Sequence, residues 1–180
     1  RTASDNLDDL HVACGLDYLA EPYKSQLKAR LGQADGTVLR SSAPVCGTSM
    51  QDVANSAQGN WFSSGAGYPA DSEDAQLALI HQNVDPSTGA FSVGNAISSL
   101  TAGVYTFSPV GSGLVNRDFK LVKADGNVYC YDSFSSGNGA GKIVLIKLVD
   151  STTLRIEGQS AANCGAGPWA FSASYTEFTR

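Results

Sequence analysis

From Leu77 to Phe178 the sequence breaks into short strand-prone runs separated by turn residues at close, regular intervals. This rhythm constrains the chain more than any other feature, because closely spaced short strands can bury their apolar faces only in an antiparallel sandwich or barrel. LALIHQNV (77–84) runs through DPSTG into AFSVG (90–94), a hairpin in which Pro86 supplies a fixed φ and Gly89 is expected to supply a positive one. GVYTFSPV (103–110) follows. RDFKLVKADGNVYCYD (117–132) reads as two strands about the Asp125-Gly126 turn, and KIVLIKLVDSTTLRIEG (142–158) as two more turning near Asp150. PWAFSASYTEF (168–178) completes eight strands in meander order.

The expected fold is therefore mainly β: an antiparallel up-and-down meander closing into a small barrel, or failing that a sandwich. The preceding residues are less regular. DDLHVACGLDYL (8–19) reads as a strand, and EPYKSQLKARLG (21–32) as a short helix with Pro22 in its first turn and Gly32 as its stop. GQADGTVLRSS offers a turn and a strand up to Arg40, and Cys46 to Gly67 reads as ordered loop. No linker divides the chain, so 1–180 is read as one domain, with 1–75 an irregular covering segment and 76–180 the meander. In KIVLIKLV, Ile143 and Leu145 lie on one face and Val144, Ile146 and Leu148 on the other. Both faces ask for burial, which the N-terminal segment is expected to provide on the outside.

A formal net charge of -5 without a Lys/Arg cluster argues against nucleic acid and anionic membranes as partners. No apolar run approaches the ~20 residues of a membrane span. Four cysteines, Cys14, Cys46, Cys130 and Cys164, occur without a C-x-x-C pair. Two disulfides are the expected reading, Cys14 with Cys46 and Cys130 with Cys164 being favoured among three connectivities because each pair staples one half of the chain. With low charge and abundant Gly, Ser and Thr, this points to a secreted or cell-surface location, extracellular or periplasmic. The chain opens on Arg1 without a charged-then-apolar leader, as a processed chain would.

Chemistry is sparse. His81 sits in an apolar strand without a G-x-S-x-G elbow and reads as a partly buried histidine bonded to a neighbour. Arg155 and Glu157 share a strand face and read as a surface pair, with each other or with a cross-strand acid. The acidic runs at 5–9 and 71–74 lack calcium-loop spacing, and the glycine-rich 111–113 and 137–141 open no helix, so neither cation nor phosphate binding is expected. No cofactor is implied, and the balance is against an enzyme. The aromatic residues are the richest set: Trp169, Phe171 and Tyr175 share a face of the last strand, Tyr105 and Phe107 of the third, Tyr129 and Tyr131 of the fifth. They either fill the core or, with Trp61, line a surface or cavity for an apolar or carbohydrate ligand.

Two local resemblances bear on function. Gly59-Asn60-Trp61 is similar to the G-x-W of lipocalins and related calycin barrels, and together with the meander it implies an eight-stranded cup holding a small apolar ligand. Either the first strand then lies at 59–63 and one later strand is not a strand, or the triplet is accidental. On the second alternative Trp61 and Phe62 anchor the N-terminal segment to the barrel. DLHVA (9–13) resembles the last zinc-site strand of LytM-type (M23) endopeptidases, with His11 in the place of a metal-binding histidine and Asp9 where its partner would stand. Three functions are thus expected in order: a secreted non-catalytic β-domain for macromolecular recognition or extracellular assembly; a lipocalin-like carrier of a small apolar ligand; and part of a peptidase or other cell-wall enzyme. The corresponding partners are an extracellular protein or cell surface, or a small apolar molecule.

Overall fold

The computed structural model describes residues 14–48, 50–63, 75–135 and 139–180. Eight antiparallel strands form one sheet: β1 (Gly59–Ser63), β2 (Gln76–His81), β3 (Gly89–Val93), β4 (Gly103–Phe107), β5 (Tyr129–Tyr131), β6 (Lys142–Leu148), β7 (Thr153–Ser160) and β8 (Thr176–Thr179). Their order is β4-β3-β2-β1-β8-β7-β6-β5, so each strand lies beside its sequence neighbour and β1 returns to β8 through Phe62↔Thr179 and Ser63↔Phe178. This is the expected meander, wrapped into a nearly closed barrel. The seam lies between β4 and β5. There Ser135 N donates to Thr106 O at 2.8 Å, and residues 114–116 run beside β5 through Cys130 N to Leu114 O (2.9 Å) and Asn116 N to Cys130 O (2.8 Å).

Which runs become strands differs from the sequence reading in instructive ways. Residues 59–63 form β1 rather than loop, so the barrel begins at Gly59 and not near residue 76. The expected strand at 117–123 is instead a 3-10 turn, Phe119–Leu121, capped by the Asp118 carboxylate on Lys120 N. The turn drops Phe119 and Val122 into the interior, which a strand's alternation could not do with residues three apart. The final strand shrinks from 168–178 to 176–179. Gly89 opens β3 without a positive φ; its use is steric, since a Cβ there would lie 2.6 Å from the Phe107 ring.

The barrel interior is filled. Phe91 packs edge-on against Phe119 (ring centroids 4.8 Å) and Tyr131 (5.0 Å), and Phe107 against the same two at 5.1 and 4.9 Å. Trp61, Leu77, Leu79, Ile146, Leu154, Ile156 and Phe178 complete the packing, all with no more than 1 % of their surface exposed. Fully burying side chains of this size contributes about 1.5–3 kcal/mol each. Ile97 and Leu100, from the β3–β4 connection, belong to the same core, Leu100 fitting where Gly158 leaves no Cβ in its way.

The second apolar face of β6 is covered as its sequence demands, but not by the expected segment. Ile143 and Leu145 pack with Cys130, Cys164, Ala161, Trp169 and Phe171, so the cover comes from the residues between β7 and β8. Its pins are the Cys130–Cys164 disulfide and Glu157, whose carboxylate accepts from Ser172 N (2.8 Å) and from the Ser172 hydroxyl. Glu157 is thus 2 % exposed rather than a surface residue, while Arg155 pairs across the ladder with Glu177 at 3.0 Å.

The described N-terminal residues form a lobe closed by Cys14–Cys46, with a 3-10 turn at Gly15–Tyr18 in place of the expected strand and one helix, α1 (Tyr23–Lys28). Pro22 is the N-cap before α1 rather than a residue of its first turn, the helix ends at Lys28 short of the expected stop at Gly32, and a bridge joins Gly32 to Leu39. No residue of 14–48 is buried, so the disulfide substitutes for a core in this lobe.

Candidate functional site

At the barrel end where β2 turns into β3, the N-terminal lobe and residues 50–58 meet the barrel around a cleft of about 400 Å³. Its construction follows from where β1 starts. β1 pairs with β2 only as far as Gly59↔Leu79, which leaves the main chain of His81 without a strand on that side. The Gln51 side chain takes the strand's place: its Oε1 accepts from His81 N and its Nε2 donates to His81 O, both at 2.8 Å. Gln58 Nε2 in turn donates to Gln51 O at 2.9 Å, and the Asp52 carboxylate accepts from Asn60 N at 3.1 Å. On the lobe side Thr48 N donates to Asn83 Oδ1 at 3.2 Å.

His81 forms the cleft's charged corner. One ring nitrogen, Nδ1, lies 2.7 Å from Pro86 O, and the other, Nε2, lies 3.2 Å from Asp118 Oδ1. Lys120 Nζ stands 3.1 Å from the second carboxylate oxygen. Burial pushes the Asp118 carboxyl upward, but the hydrogen bonds from Lys120 and His81 outweigh it and hold the group below the ordinary aspartate value. The arrangement resembles a catalytic dyad only in composition. Both ring nitrogens lie within hydrogen-bond distance of acceptors rather than of a hydroxyl, and among the described residues no Ser, Thr or Cys side chain is hydrogen-bonded to the ring.

Two polar atoms of the lining are left unmatched. Gln58 Oε1 and Arg40 Nη1 are buried and have no hydrogen-bond partner, although Gln58 Nε2 and Arg40 Nε each have one. A buried polar group without a partner costs about 1–3 kcal/mol, so both atoms call for a complement that the protein does not itself provide.

The aromatic residues picked out from sequence separate into two sets. Trp61, Tyr105, Phe107, Tyr129 and Tyr131 have at most 3 % of their surface exposed and belong to the core. Trp61 sits on β1, its Nε1 donating to Ala57 O at 2.9 Å, while Phe62 stays half-buried on the outer face. Trp169, Phe171 and Tyr175 remain on the outside. Trp169 donates to Cys164 O at 2.6 Å and walls a groove of about 630 Å³ with Pro168, Leu114 and Val128, and Phe171 packs against Tyr175. His11 and the run at 71–74 lie outside the described residues. Among the described residues no cluster of His, Cys, Asp or Glu is arranged to hold a metal ion, and no helix is long and apolar enough to cross a membrane.

His81 was legible as a partly buried, hydrogen-bonded histidine. Gln51, Asp52, Gln58 and Asp118 were not, because their partners are 7 to 37 residues away in sequence. The density of amides in SMQDVANSAQGN (49–60) was the one available signal. No protein-family model matches this chain, nor does any curated protein or solved structure.

Proposed function

We propose that the protein is a secreted, non-catalytic β-domain that recognises an extracellular partner at its surface, with the His81 cleft as the recognition site. The observation that carries this reading is the filled interior. Phe91, Phe107, Phe119 and Tyr131 occupy the volume in which an eight-stranded carrier would hold its cargo. Two disulfides fit an oxidising compartment, and the blocked imidazole of His81 fits binding better than catalysis.

The carrier reading draws on Gly59-Asn60-Trp61 at the head of β1 and would need the aromatic cluster to yield to a ligand. Fluorescence titration with cis-parinaric acid separates the two. The wild-type protein is expected to give no saturable signal, while Phe91→Ala, which empties part of the interior, gains one if it stays folded. Saturable binding by the wild type would restore the carrier in place of the surface domain.

A further inference from the structure

We infer that the His81 cleft binds a neutral saccharide, with Arg40 and Gln58 as the residues that read its hydroxyl groups. This rests on the cleft being the recognition site. The unmatched atoms are one donor, Arg40 Nη1, and one acceptor, Gln58 Oε1, in the lining of the same cleft. A ligand that satisfies both must offer an acceptor and a donor, and a hydroxyl group is both at once.

A simple anion fits only half of this lining: it would accept from the Arg40 guanidinium, which has no carboxylate partner among the described residues, but it could not donate to Gln58 Oε1. A simple cation finds the carboxylates already engaged, Asp118 by Lys120 and the His81 ring and Asp52 by Asn60. The remaining polar lining is amide and hydroxyl, from Gln82, Asn83 and Thr48, with Met50, Val53 and Pro86 as apolar contacts for C–H faces. At about 400 Å³ the space lies at the small end of the ~300–1,000 Å³ typical of ligand pockets, suited to one or two sugar rings rather than a folded partner.

A peptide is the competing ligand, and the main chain argues against it. Extended peptides bind by adding to unpaired strand edges. Here both main-chain groups of His81 are engaged by Gln51, Gln82 N donates to Thr88 O, and Val53 N donates to Gln58 O. What is left without a partner in the cleft wall is one side-chain amide oxygen and one guanidinium nitrogen, an acceptor and a donor that a hydroxyl can match.

The test is an array of neutral, amino and uronic oligosaccharides, followed by calorimetry with the best neutral binder. Wild-type protein is expected to bind neutral sugars, with Arg40→Met and Gln58→Leu each weakening binding at least tenfold while melting within a few degrees of wild type. Arg40→Met, at a half-buried lobe position, keeps the test open if Gln58→Leu does not fold. Absence of array binding by folded wild type, or sugar binding unchanged in Arg40→Met, overturns the inference. A phage-displayed peptide library on the same proteins distinguishes the two levels. Peptides selected by wild type and lost with Arg40→Met would leave the cleft a recognition site and overturn only the sugar, whereas lipid binding inside the barrel would remove the recognition reading itself.

Discussion

The guanidinium of Arg180 lies 4.3 Å from the centre of the buried Trp61 ring, joining two residues 119 positions apart at one end of the barrel. Its nitrogens donate to Ser56 O (2.7 Å), Gln58 O (3.2 Å) and Ser151 O (3.1 Å). One side chain therefore ties the approach to β1 and the β6–β7 turn to the buried tryptophan of β1. The fork geometry of guanidinium makes all of these contacts possible together.

Replacing Arg180 should therefore cost more than a surface charge does. Arg180→Ala is expected to lose about 2–4 kcal/mol, from charged hydrogen bonds and the ring contact, with the carbonyl of Ser56 left wanting. Arg180→Lys should recover less than half, since an ammonium cannot span the three carbonyls. Urea unfolding followed by tryptophan fluorescence measures both. A loss under about 0.5 kcal/mol, the range of ordinary surface substitutions, would show that the pair is incidental.

The same corner explains what the sequence made legible. The strand rhythm from β2 to β4 and from β5 to β7 could be read directly, because alternation and turn residues are local. Gly59 before Trp61 could be noticed but not justified: it adopts φ +135°, and a Cβ on it would lie 2.3 Å from Asp52 Oδ1. That contact depends on a loop folding back, which no local pattern encodes. For the same reason 117–123 looked like a strand. Phe119 and Leu121 alternate correctly, yet Asp118 caps a turn there and Phe119 is drawn into the aromatic cluster. The doubly apolar β6 announced that it needed a cover, and Trp169 and Phe171, not the N-terminal residues, supply it.

The two disulfides should differ in effect although their loops are alike, closing 32 and 34 residues. In the chain-entropy model each stabilises by roughly 3–4 kcal/mol. Cys130–Cys164 pins the cover onto the barrel, so Cys130→Ala with Cys164→Ala should lower the melting temperature by roughly 10 °C. Cys14–Cys46 closes a lobe without buried residues, so the corresponding double variant should expose 14–48 to protease while leaving barrel melting nearly unchanged. Equal shifts in calorimetry would contradict this division.

Stability should fall at high pH through two tyrosines. Burial and then the Asp125 carboxylate, 2.7 Å from its hydroxyl, push Tyr129 up to about 12, and burial drives Tyr131 well above its ordinary value. A raised folded value favours the protonated form in the native state, so this contribution is complete below about pH 10 and is lost as pH rises from there towards 12. Melting curves from pH 8 to 11.5 should decline through that window. Tyr129→Phe, which removes one of the two groups, should flatten the decline. Absorbance at 295 nm should show these two rings ionising only with unfolding. Their ionisation in the folded protein near pH 10 would contradict the effect.

Glu157 gives the sharpest test of how the cover is held. It is 2 % exposed on the outer face of β7, where its carboxylate accepts from Ser172 N at 2.8 Å, from the Ser172 hydroxyl and from Gln159 Nε2 at 3.2 Å. Every neighbour is a donor, so the site is matched to an acceptor-only side chain. Glu157→Gln keeps the shape but turns an amide nitrogen towards donors, and is expected to cost about 1–3 kcal/mol, comparable to Glu157→Ala. If shape alone mattered, Gln would behave like wild type. Because the bond fixes the cover over Ile143 and Leu145, both variants should gain protease cleavage near 165–168 and quench or shift Trp169 emission before the barrel melts. Simultaneous loss of the Trp169 signal and of barrel structure would instead mean that cover and barrel form one cooperative unit, with Glu157 contributing to the whole.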